Sequence, residues 1–234
     1  MHRNNDLLKP ILTPINRAGW PFIAIFIIIT IILAYISETL GWIGIILTAW
    51  CMYFFRDPSR VTPTRDGLVV SPADGTIQII EEAPPPPELE MGTETYIKVA
   101  IFMNVFNVHV NRIPLEGTIK KLVYHPGKFF NASLDKASLL NERQSIRIEF
   151  GKSRSLVMVQ IAGLIARRIK CELSEEQQVL TGERFGLIRF GSRVDLYIPK
   201  KVPIFVTVGQ STIAGETIIA DLKSREKSRD GKMR

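Results

Sequence analysis

Residues 189–199 read Arg189-Phe190-Gly191-Ser192-Arg193-Val194-Asp195-Leu196-Tyr197-Ile198-Pro199. After Ser192, apolar and polar residues alternate: Val194, Leu196 and Ile198 against Arg193, Asp195 and Tyr197. This two-residue period predicts a half-buried strand that is entered through a turn at Gly191 and Ser192. Glycine tolerates backbone angles that other residues resist, so the chain can bend there and bring a hydroxyl beside a peptide carbonyl. An ordinary turn with a small polar residue fits the same pattern.

The composition limits the classes of protein to consider. The chain has 234 residues, 46% of them hydrophobic, which is enough for one sizeable core and an appendage. Its two cysteines, Cys51 and Cys171, are too far apart to predict a metal site or a redox pair by spacing, so we expect no metal and a reducing compartment. The net charge of +7 indicates an anionic partner, either nucleic acid or acidic lipid.

Two apolar runs near the N-terminus, residues 20–36 and 40–55, are separated by a short polar turn whose one charge is Glu38. They predict a membrane-associated helical hairpin over residues 20–56, after a polar, basic N-terminus of residues 1–19. A buried core hairpin and a cleaved signal peptide are the alternatives. The runs are too uniformly apolar for the first, and no small-residue cleavage site supports the second. Basic residues flank both ends, so the positive-inside rule places both ends in the cytoplasm.

Residues 57–222 form a single domain with the pattern of short strands and turns. Two segments in it are similar, Asp74-Gly75-Thr76-Ile77 and Glu116-Gly117-Thr118-Ile119, and each places an acid and a glycine before Thr-Ile. Repeated hairpins of this kind occur in barrel-sandwich folds of the lipoyl type, so we expect a mainly β, lipoyl-like barrel-sandwich domain. Residues 223–234 hold six basic and two acidic residues without apolar periodicity, which predicts a disordered basic tail.

Three polar residues of the domain are candidates for chemistry. His109 lies between Asn107 and Asn111 in an apolar stretch, which predicts a polar stripe on one face of a strand, although a structural histidine fits too. His125 lies in a turn, and Asp74 lies in a Pro-Ala-Asp-Gly turn where an Asx-turn is the simpler interpretation. No phosphate-binding glycine loop and no zinc-protease helix is present, and no nucleic-acid module is recognisable, so we expect no nucleic-acid partner.

Four segments in this order and spacing resemble the short bacterial form of the phosphatidylserine decarboxylase proenzyme family. They are Ser71-Pro72-Ala73-Asp74-Gly75, the Phe102–Pro114 segment with Val-His-Val-Asn-Arg, Tyr124-His125-Pro126-Gly127-Lys128-Phe129 with Asn131-Ala132, and Arg189–Asp195. The apolar hairpin and the Phe55-Arg56-Asp57-Pro58 junction belong to the same resemblance. It extends from the hairpin to about Leu222.

The resemblance implies a self-cleaving enzyme whose pyruvoyl cofactor is made from Ser192, without an external cofactor. The Ser192 hydroxyl would attack the Gly191 carbonyl, and the products would be a large chain of residues 1–191 and a small chain of residues 192–234 that begins with the pyruvoyl group. Its ketone would form a Schiff base with the amine of phosphatidylserine and accept the electron pair left by CO₂. The expected product is phosphatidylethanolamine. The expected assembly is a heterodimer of the two chains, or a higher oligomer of it.

The resemblance also implies roles for the candidates. His109 would act in decarboxylation as a general acid or base, and Asp74 would orient or activate a partner during cleavage. Longer members of the family have a second histidine where this chain has Arg112. Therefore either His109 serves both reactions, or His125 supplies one role, or the cleavage base differs. Arg112 and His125 are also candidates for binding the substrate, Arg112 through its phosphate or carboxylate.

The expected location is the bacterial inner membrane, with the catalytic domain in the cytoplasm. The alternative function is a membrane-anchored lipoyl-like carrier or adaptor without catalytic activity. A carrier would need a lysine at a hairpin tip, and neither the Asp74-Gly75 nor the Glu116-Gly117 turn contains one. An adaptor would usually need long heptads, which the sequence lacks.

Overall fold

The structure is a computed structural model that describes residues 13–128, 140–163, 168–189 and 191–232. The chain divides into two compact units, residues 1–59 and 60–234. Several residues of the quoted motifs lie outside the described ones: Phe129, Asn131, Ala132 and Phe190. Most of the basic N-terminus, residues 1–12, lies outside them as well.

The first unit contains the expected pair of apolar helices. A 3₁₀ helix, Arg17–Gly19, leads into α1, Trp20–Ile36, and α2 follows at Glu38–Phe54. Pro21 lies in the first turn of α1, where its missing N–H is no loss, and extended Ser37 separates the helices. The two packed helices are joined by a hydrogen bond of 2.9 Å between Thr30 Oγ1 and Thr48 Oγ1. Arg17–Ile36 is long and apolar enough to cross a membrane by length and composition, and α2 is shorter.

The second unit is mainly β, as expected. In chain order its strands are β1 Leu68–Val70, β2 Gly75–Ala83, β3 Tyr96–Met103, β4 Val110–Arg112, β5 Gly117–His125, β6 Arg143–Phe150, β7 Arg154–Ala162, β8 Ile169–Cys171, β9 Gln178–Val179, β10 Arg184–Ile188, β11 Ser192–Pro199, β12 Ser211–Thr212 and β13 Ile218–Asp221. A 3₁₀ helix covers Pro87–Leu89. Among the described residues the strands form an eight-stranded sheet ordered β12-β2-β3-β11-β7-β6-β5-β9, a three-stranded sheet β4-β10-β8 and a two-stranded sheet β1-β13.

Strand β11 runs through the middle of the large sheet, antiparallel to β3 on one side and β7 on the other. Its alternation is confirmed, because Val194, Leu196 and Ile198 belong to the main hydrophobic core. We call this the inner face of β11. Tyr197 lies on the outer face, in a smaller apolar cluster that includes Leu89 of the second 3₁₀ helix.

The two similar segments occupy equivalent places. Gly75 begins β2 and Gly117 begins β5, and each strand has a bulge a few residues later. A side chain at Gly75 would place its Cβ 2.2 Å from Phe102 O, and one at Gly117 would lie 2.3 Å from Glu149 O. The acid-glycine signal therefore marks where a strand begins in close contact with the backbone of its neighbour.

Arg229, a residue of the predicted basic tail, contacts the domain. Arg229 N donates to Ile204 O over 2.9 Å, and its guanidinium carbon lies 4.3 Å from the centre of the Phe205 ring. These contacts join single residues of an irregular segment. They have no periodicity that a sequence pattern could show.

Candidate active site

One end of the large sheet collects the residues singled out in the sequence. There Ser192, at the start of β11, lies opposite Met103 at the end of β3 and opposite Ala162 at the end of β7. On the far side of β3, Thr76 pairs with Phe102, so the Asp74-Gly75 turn lies two strands from Ser192. We call this region the site end of the sheet.

Gly191 and Ser192 have the geometry that a reactive turn needs. Gly191 has a φ of +73°, a left-handed conformation that L side chains rarely adopt, while no atom lies within 4 Å of where its Cβ would be. The glycine is therefore required by backbone conformation rather than by space. Ser192 is fully buried, and its Oγ has no hydrogen-bond partner within the described residues. A buried hydroxyl without a partner is uncommon and indicates either strain or a functional role.

His109 is buried directly beside this turn. Its Nδ1 lies 3.0 Å from Asn107 O, and its Nε2 accepts the Gly191 N–H over 3.4 Å. Because a carbonyl oxygen can only accept, Nδ1 carries the proton and Nε2 presents its lone pair to the Gly191–Ser192 junction. The imidazole is 1% exposed, so water does not compete for that lone pair. This arrangement is that of a general base held in one tautomer.

The predicted polar stripe of Asn107, His109 and Asn111 is not one strand face. Strand β3 ends at Met103, a turn follows, and β4 begins only at Val110. Asn104 and Asn107 hold the turn: Asn107 Oδ1 accepts Asn104 N–H over 2.9 Å, and Asn104 Oδ1 accepts Phe106 N–H over 2.8 Å. Such side-chain bonds to the backbone compete with a strand ladder, which explains the break.

Asp74 is anchored by two partners. Arg60 Nη2 donates to its Oδ2 over 2.7 Å, and Ala214 N–H donates to its Oδ1 over 2.8 Å. The sequence indicated Arg60 only as a charge flanking the hairpin, and no local pattern predicts a contact across fourteen positions. The turn also holds Thr212, whose hydroxyl donates to Ala73 O over 3.1 Å.

The two residues suggested for substrate binding lie in different environments. Arg112 is 6% exposed and donates from Nη1 to Gly182 O over 2.8 Å, so at least one of its guanidinium donors faces the protein. His125 is exposed at the end of β5, opposite Arg143. Since Arg143 in turn lies opposite Ile161 of β7, the strand ladder places His125 at the site end, on the side away from Asp74.

The charges around the junction are unevenly distributed. On the outer face of β11, Arg193 and Asp195 form a buried ion pair with distances of 2.5 and 2.8 Å. Before the junction, burial and the nearby Arg168 guanidinium lower the pKa of Arg189. Burial, followed by the Asp195 carboxylate, raises the pKa of the outer-face Tyr197. Ser192 itself lies on the opposite, inner face of β11, with Val194 and Leu196.

A buried amide pair that the sequence did not single out as functional lies on the inner face. Gln160 of β7 donates from Nε2 to Asn111 Oδ1 over 2.8 Å, and both side chains are fully buried. Gln160 Oε1 has no partner within the described residues. The register of β7 against β11 makes Gln160 the diagonal neighbour of Ser192 on this face.

The residues at the junction fit a pyruvoyl group derived from Ser192. The serine begins a central strand that is paired with β3 along its length and with β7 from Ser192 to Tyr197, so a chain end formed there stays within the core. Its buried Oγ has no partner within the described residues, and His109 Nε2 contacts the preceding residue, Gly191. Within the described residues, no group of three or more His, Cys, Asp and Glu side chains is arranged to hold a metal ion.

Comparison with known proteins shows which proteins this chain is similar to. The model of a family described as phosphatidylserine decarboxylase matches residues 47–220. A protein of Paramagnetospirillum magneticum is 57% identical over 229 residues, covering 98% of this chain and 95% of its own length. One of Cereibacter sphaeroides is 54% identical, covering 98% and 99%, and one of Rickettsia rickettsii is 59% identical, covering 94% of both chains. All three are named phosphatidylserine decarboxylase proenzyme.

Proposed function

This chain belongs to the phosphatidylserine decarboxylase family, and from that premise we propose that it cuts itself between Gly191 and Ser192 to become a pyruvoyl-dependent decarboxylase at the membrane. The enzyme class is that of its relatives, a decarboxylase acting on phosphatidylserine. One observation carries the finer proposal: the buried Ser192 hydroxyl has no partner in the described structure, and His109 Nε2 contacts the residue before it.

These positions support the following route for the cut. Ser192 Oγ attacks the Gly191 carbonyl carbon while its proton passes to His109 Nε2, and the Gly191–Ser192 C–N bond breaks as its nitrogen is protonated. The result is an ester between Gly191 and the Ser192 side chain. Removal of the Ser192 α-proton then breaks the ester C–O bond and releases the Gly191 carboxylate. Water adds at residue 192 and ammonia leaves, which gives the pyruvoyl end.

The surrounding residues would hold that end in place. Met103 and Ala162 flank position 192 on the two neighbouring strands, and their burial excludes bulk water. When present, the ketone takes up the substrate amine and accepts the electron pair that CO₂ leaves behind. His109, in the same position as before the cut, can hand a proton to the product or remove one from the incoming amine. Large and small chains stay together because β11 is paired on both sides.

We propose supporting roles for the other three candidate residues, Asp74, Arg112 and His125. Asp74 fixes the turn at the start of β2 through Arg60 and Ala214 N–H, and it orients the site end during the cut. Arg112 and His125 remain the predicted contacts for the anionic headgroup. His125 is the exposed one of the two.

The membrane part of the proposal rests on the first unit. Large apolar side chains of both helices are exposed, including Ile28, Ile31 and Ile46, and such a surface is stable in a hydrocarbon environment. Basic residues at both ends of the hairpin place the catalytic unit in the cytoplasm by the positive-inside rule.

Intact mass spectrometry of the purified full chain tests the proposal. We expect two chains, residues 1–191 and 192–234, with the small chain lighter by one ammonia than its serine-started sequence. Ser192→Ala should stay uncut and inactive, because it lacks the nucleophile. The matched control is Ser145→Ala, which removes an equally buried hydroxyl that donates to Glu88 over 2.9 Å and should still be cut. An uncut wild-type chain that decarboxylates phosphatidylserine would refute the mechanism.

A further inference from the structure

The amide pair of Asn111 and Gln160 lies at the floor of the proposed active site. Ser192 is directly opposite Ala162, and Gln160 is two residues before Ala162 on β7, which makes it the diagonal neighbour of Ser192 on the inner face. Diagonal neighbours lie about 7–8 Å apart at the backbone, within reach of a long side chain. Asn111 completes the floor by contacting Met103, the opposite neighbour of Ser192.

The orientation of the pair is set by a chain of hydrogen bonds. Met103 Sδ can only accept, so Asn111 turns its Nδ2 toward the sulfur at 3.7 Å. Asn111 Oδ1 then faces Gln160 and takes the hydrogen of Gln160 Nε2 over 2.8 Å. Gln160 Oε1 is the oxygen that remains, and it has no partner among the described residues.

An unpartnered buried oxygen of this kind indicates a ligand that donates hydrogen bonds. Leaving a buried polar atom unbonded costs about 1–3 kcal/mol, so such atoms in a fully buried site usually serve a bound group. An acceptor oxygen on the diagonal neighbour of position 192 suits an N–H group of a primary amine.

We infer that Gln160 Oε1 binds the amino group of the substrate, with Asn111 as the positioning residue that aims it. This inference rests on the proposed function and names the part of the site that receives the amine. When one hydrogen of the amine is bonded to Gln160, the lone pair of the amine nitrogen stays available for the carbon of position 192. Condensation then joins that nitrogen to the ketone carbon and releases one water.

The test separates amine binding from the cut. Full-length Gln160→Met keeps the length of the side chain but removes the acceptor. Gln144→Met is the matched control, because Gln144 lies directly opposite Gln160 on β6, one strand farther from Ser192. Each protein is incubated with glycerophosphoserine at increasing concentration in the presence of cyanoborohydride, and the adduct on the small chain is measured by mass. Borohydride without the amine reports the amount of ketone.

We expect Gln160→Met to be cut and to contain the ketone like the wild type, while the glycerophosphoserine concentration at half-maximal adduct rises about 10-fold. That factor corresponds to one lost hydrogen bond of roughly 1.4 kcal/mol. Asn111→Leu should raise it by a smaller factor, because Gln160 keeps its oxygen but loses the partner that orients it. Gln144→Met should bind like the wild type.

The inference would be overturned if Gln160→Met reached half-maximal adduct at the same glycerophosphoserine concentration as the wild type. An uncut Gln160→Met chain beside a normally cut control would overturn it as well, since Gln160 would then serve the cut. If Gln160→Met does not accumulate as folded protein, Asn111→Leu decides by the same two measurements. An uncut wild-type chain, or one without a ketone, would instead contradict the proposed function.

Discussion

The two faces of β11 are equally buried, but the hydrogen bonding of their polar side chains differs. On the inner face, the Ser192 hydroxyl is left without a partner in the described structure, beside the lone pair of His109. On the outer face, Arg193 and Asp195 close two hydrogen bonds with each other, and only Arg193 Nη1 has no partner among the described residues. One strand thus carries a serine hydroxyl without a partner in the described structure next to a neutralised ion pair.

This difference links the inner face of the strand to the proposed reaction and the outer face to the stability of the fold. A buried hydroxyl acts as a nucleophile when a neighbouring base takes its proton, whereas a buried charge is tolerated only if it is paired. We therefore expect changes on the inner face to alter self-cleavage, and changes on the outer face to alter the free energy of unfolding. Substitutions on each face test this division.

The largest effect is expected for His109→Gln, which removes the base from the inner face. General acid–base catalysis typically contributes about 10²–10⁴-fold, so the rate of self-cleavage should fall by that factor. The measurement is the time course of uncut chain on denaturing gels after synthesis. Tyr197→Phe, which removes a buried hydroxyl from the outer face, should be cut at the wild-type rate.

The same assay decides between the two histidines. Normal cutting in His109→Gln together with failure in His125→Gln would move the base to the exposed histidine. It would also break the division between the two faces, because the lone pair on the inner face would then have no role in the cut.

An intermediate effect is expected for Asp195→Leu on the outer face. Removing one partner of a buried ion pair leaves the other charge uncompensated, which costs about 3–5 kcal/mol of unfolding free energy. Replacing both residues, Arg193→Met with Asp195→Leu, should bring the unfolding free energy close to its starting value. Urea titration of the full chain in detergent, in an uncut Ser192→Ala background, measures both.

If the double variant is as unstable as the single one, the pair is more than a neutralised charge. The outer face would then contribute a specific packing role, and the contrast with the inner face would be one of degree. Recovery in the double variant would sharpen the contrast.

Much of the fold follows from local sequence patterns, because those patterns report burial on one face. The alternation after Ser192 predicted β11, and two uncharged runs predicted α1 and α2. The Asp74-Gly75 and Glu116-Gly117 segments predicted hairpin turns, but each connects strands of different sheets, β1 to β2 and β4 to β5, and its glycine begins a strand in contact with a neighbouring carbonyl. In each case the physical signal lies within about ten residues.

The site was less predictable, because its contacts join distant parts of the chain. Gln160 and Asn111 are 49 positions apart, and His109 reaches Gly191 across 82. The stripe that predicted a continuous strand around His109 was misread, since two asparagine side chains bond to the backbone and form a turn instead. Identifying Ser192 and His109 required the family resemblance. Gln160 required the strand register.

The smallest effect concerns acid stability on the outer side of the sheet, where Glu88 accepts hydrogen bonds from Arg143 and Ser145. Burial raises the pKa of the Glu88 carboxyl, but hydrogen bonds from Arg143, the backbone and Ser145 together hold it below its usual range. A lowered folded-state pKa means that this stabilisation is present above the unfolded pKa, about 4.3, and is lost as pH falls through the folded value. In the uncut Ser192→Ala chain, Glu88→Gln should therefore flatten the fall of the urea midpoint below about pH 4.3. Self-cleavage at neutral pH should be unchanged in Glu88→Gln alone, since the residue lies away from the inner face.

The salt dependence of the stability effect should distinguish the Glu88 contact from an exposed ion pair. Glu90 pairs with Lys121 at 2.8 Å, but its side chain is 79% exposed, against 15% for Glu88. Exposed pairs are screened by salt, so the effect of Glu90→Gln should disappear at about 1 M salt, while that of Glu88→Gln should persist. Equal salt sensitivity of the two variants would show that water reaches the Glu88 contact. The outer face would then not be the dry, ion-paired surface that its contrast with the Ser192 face requires.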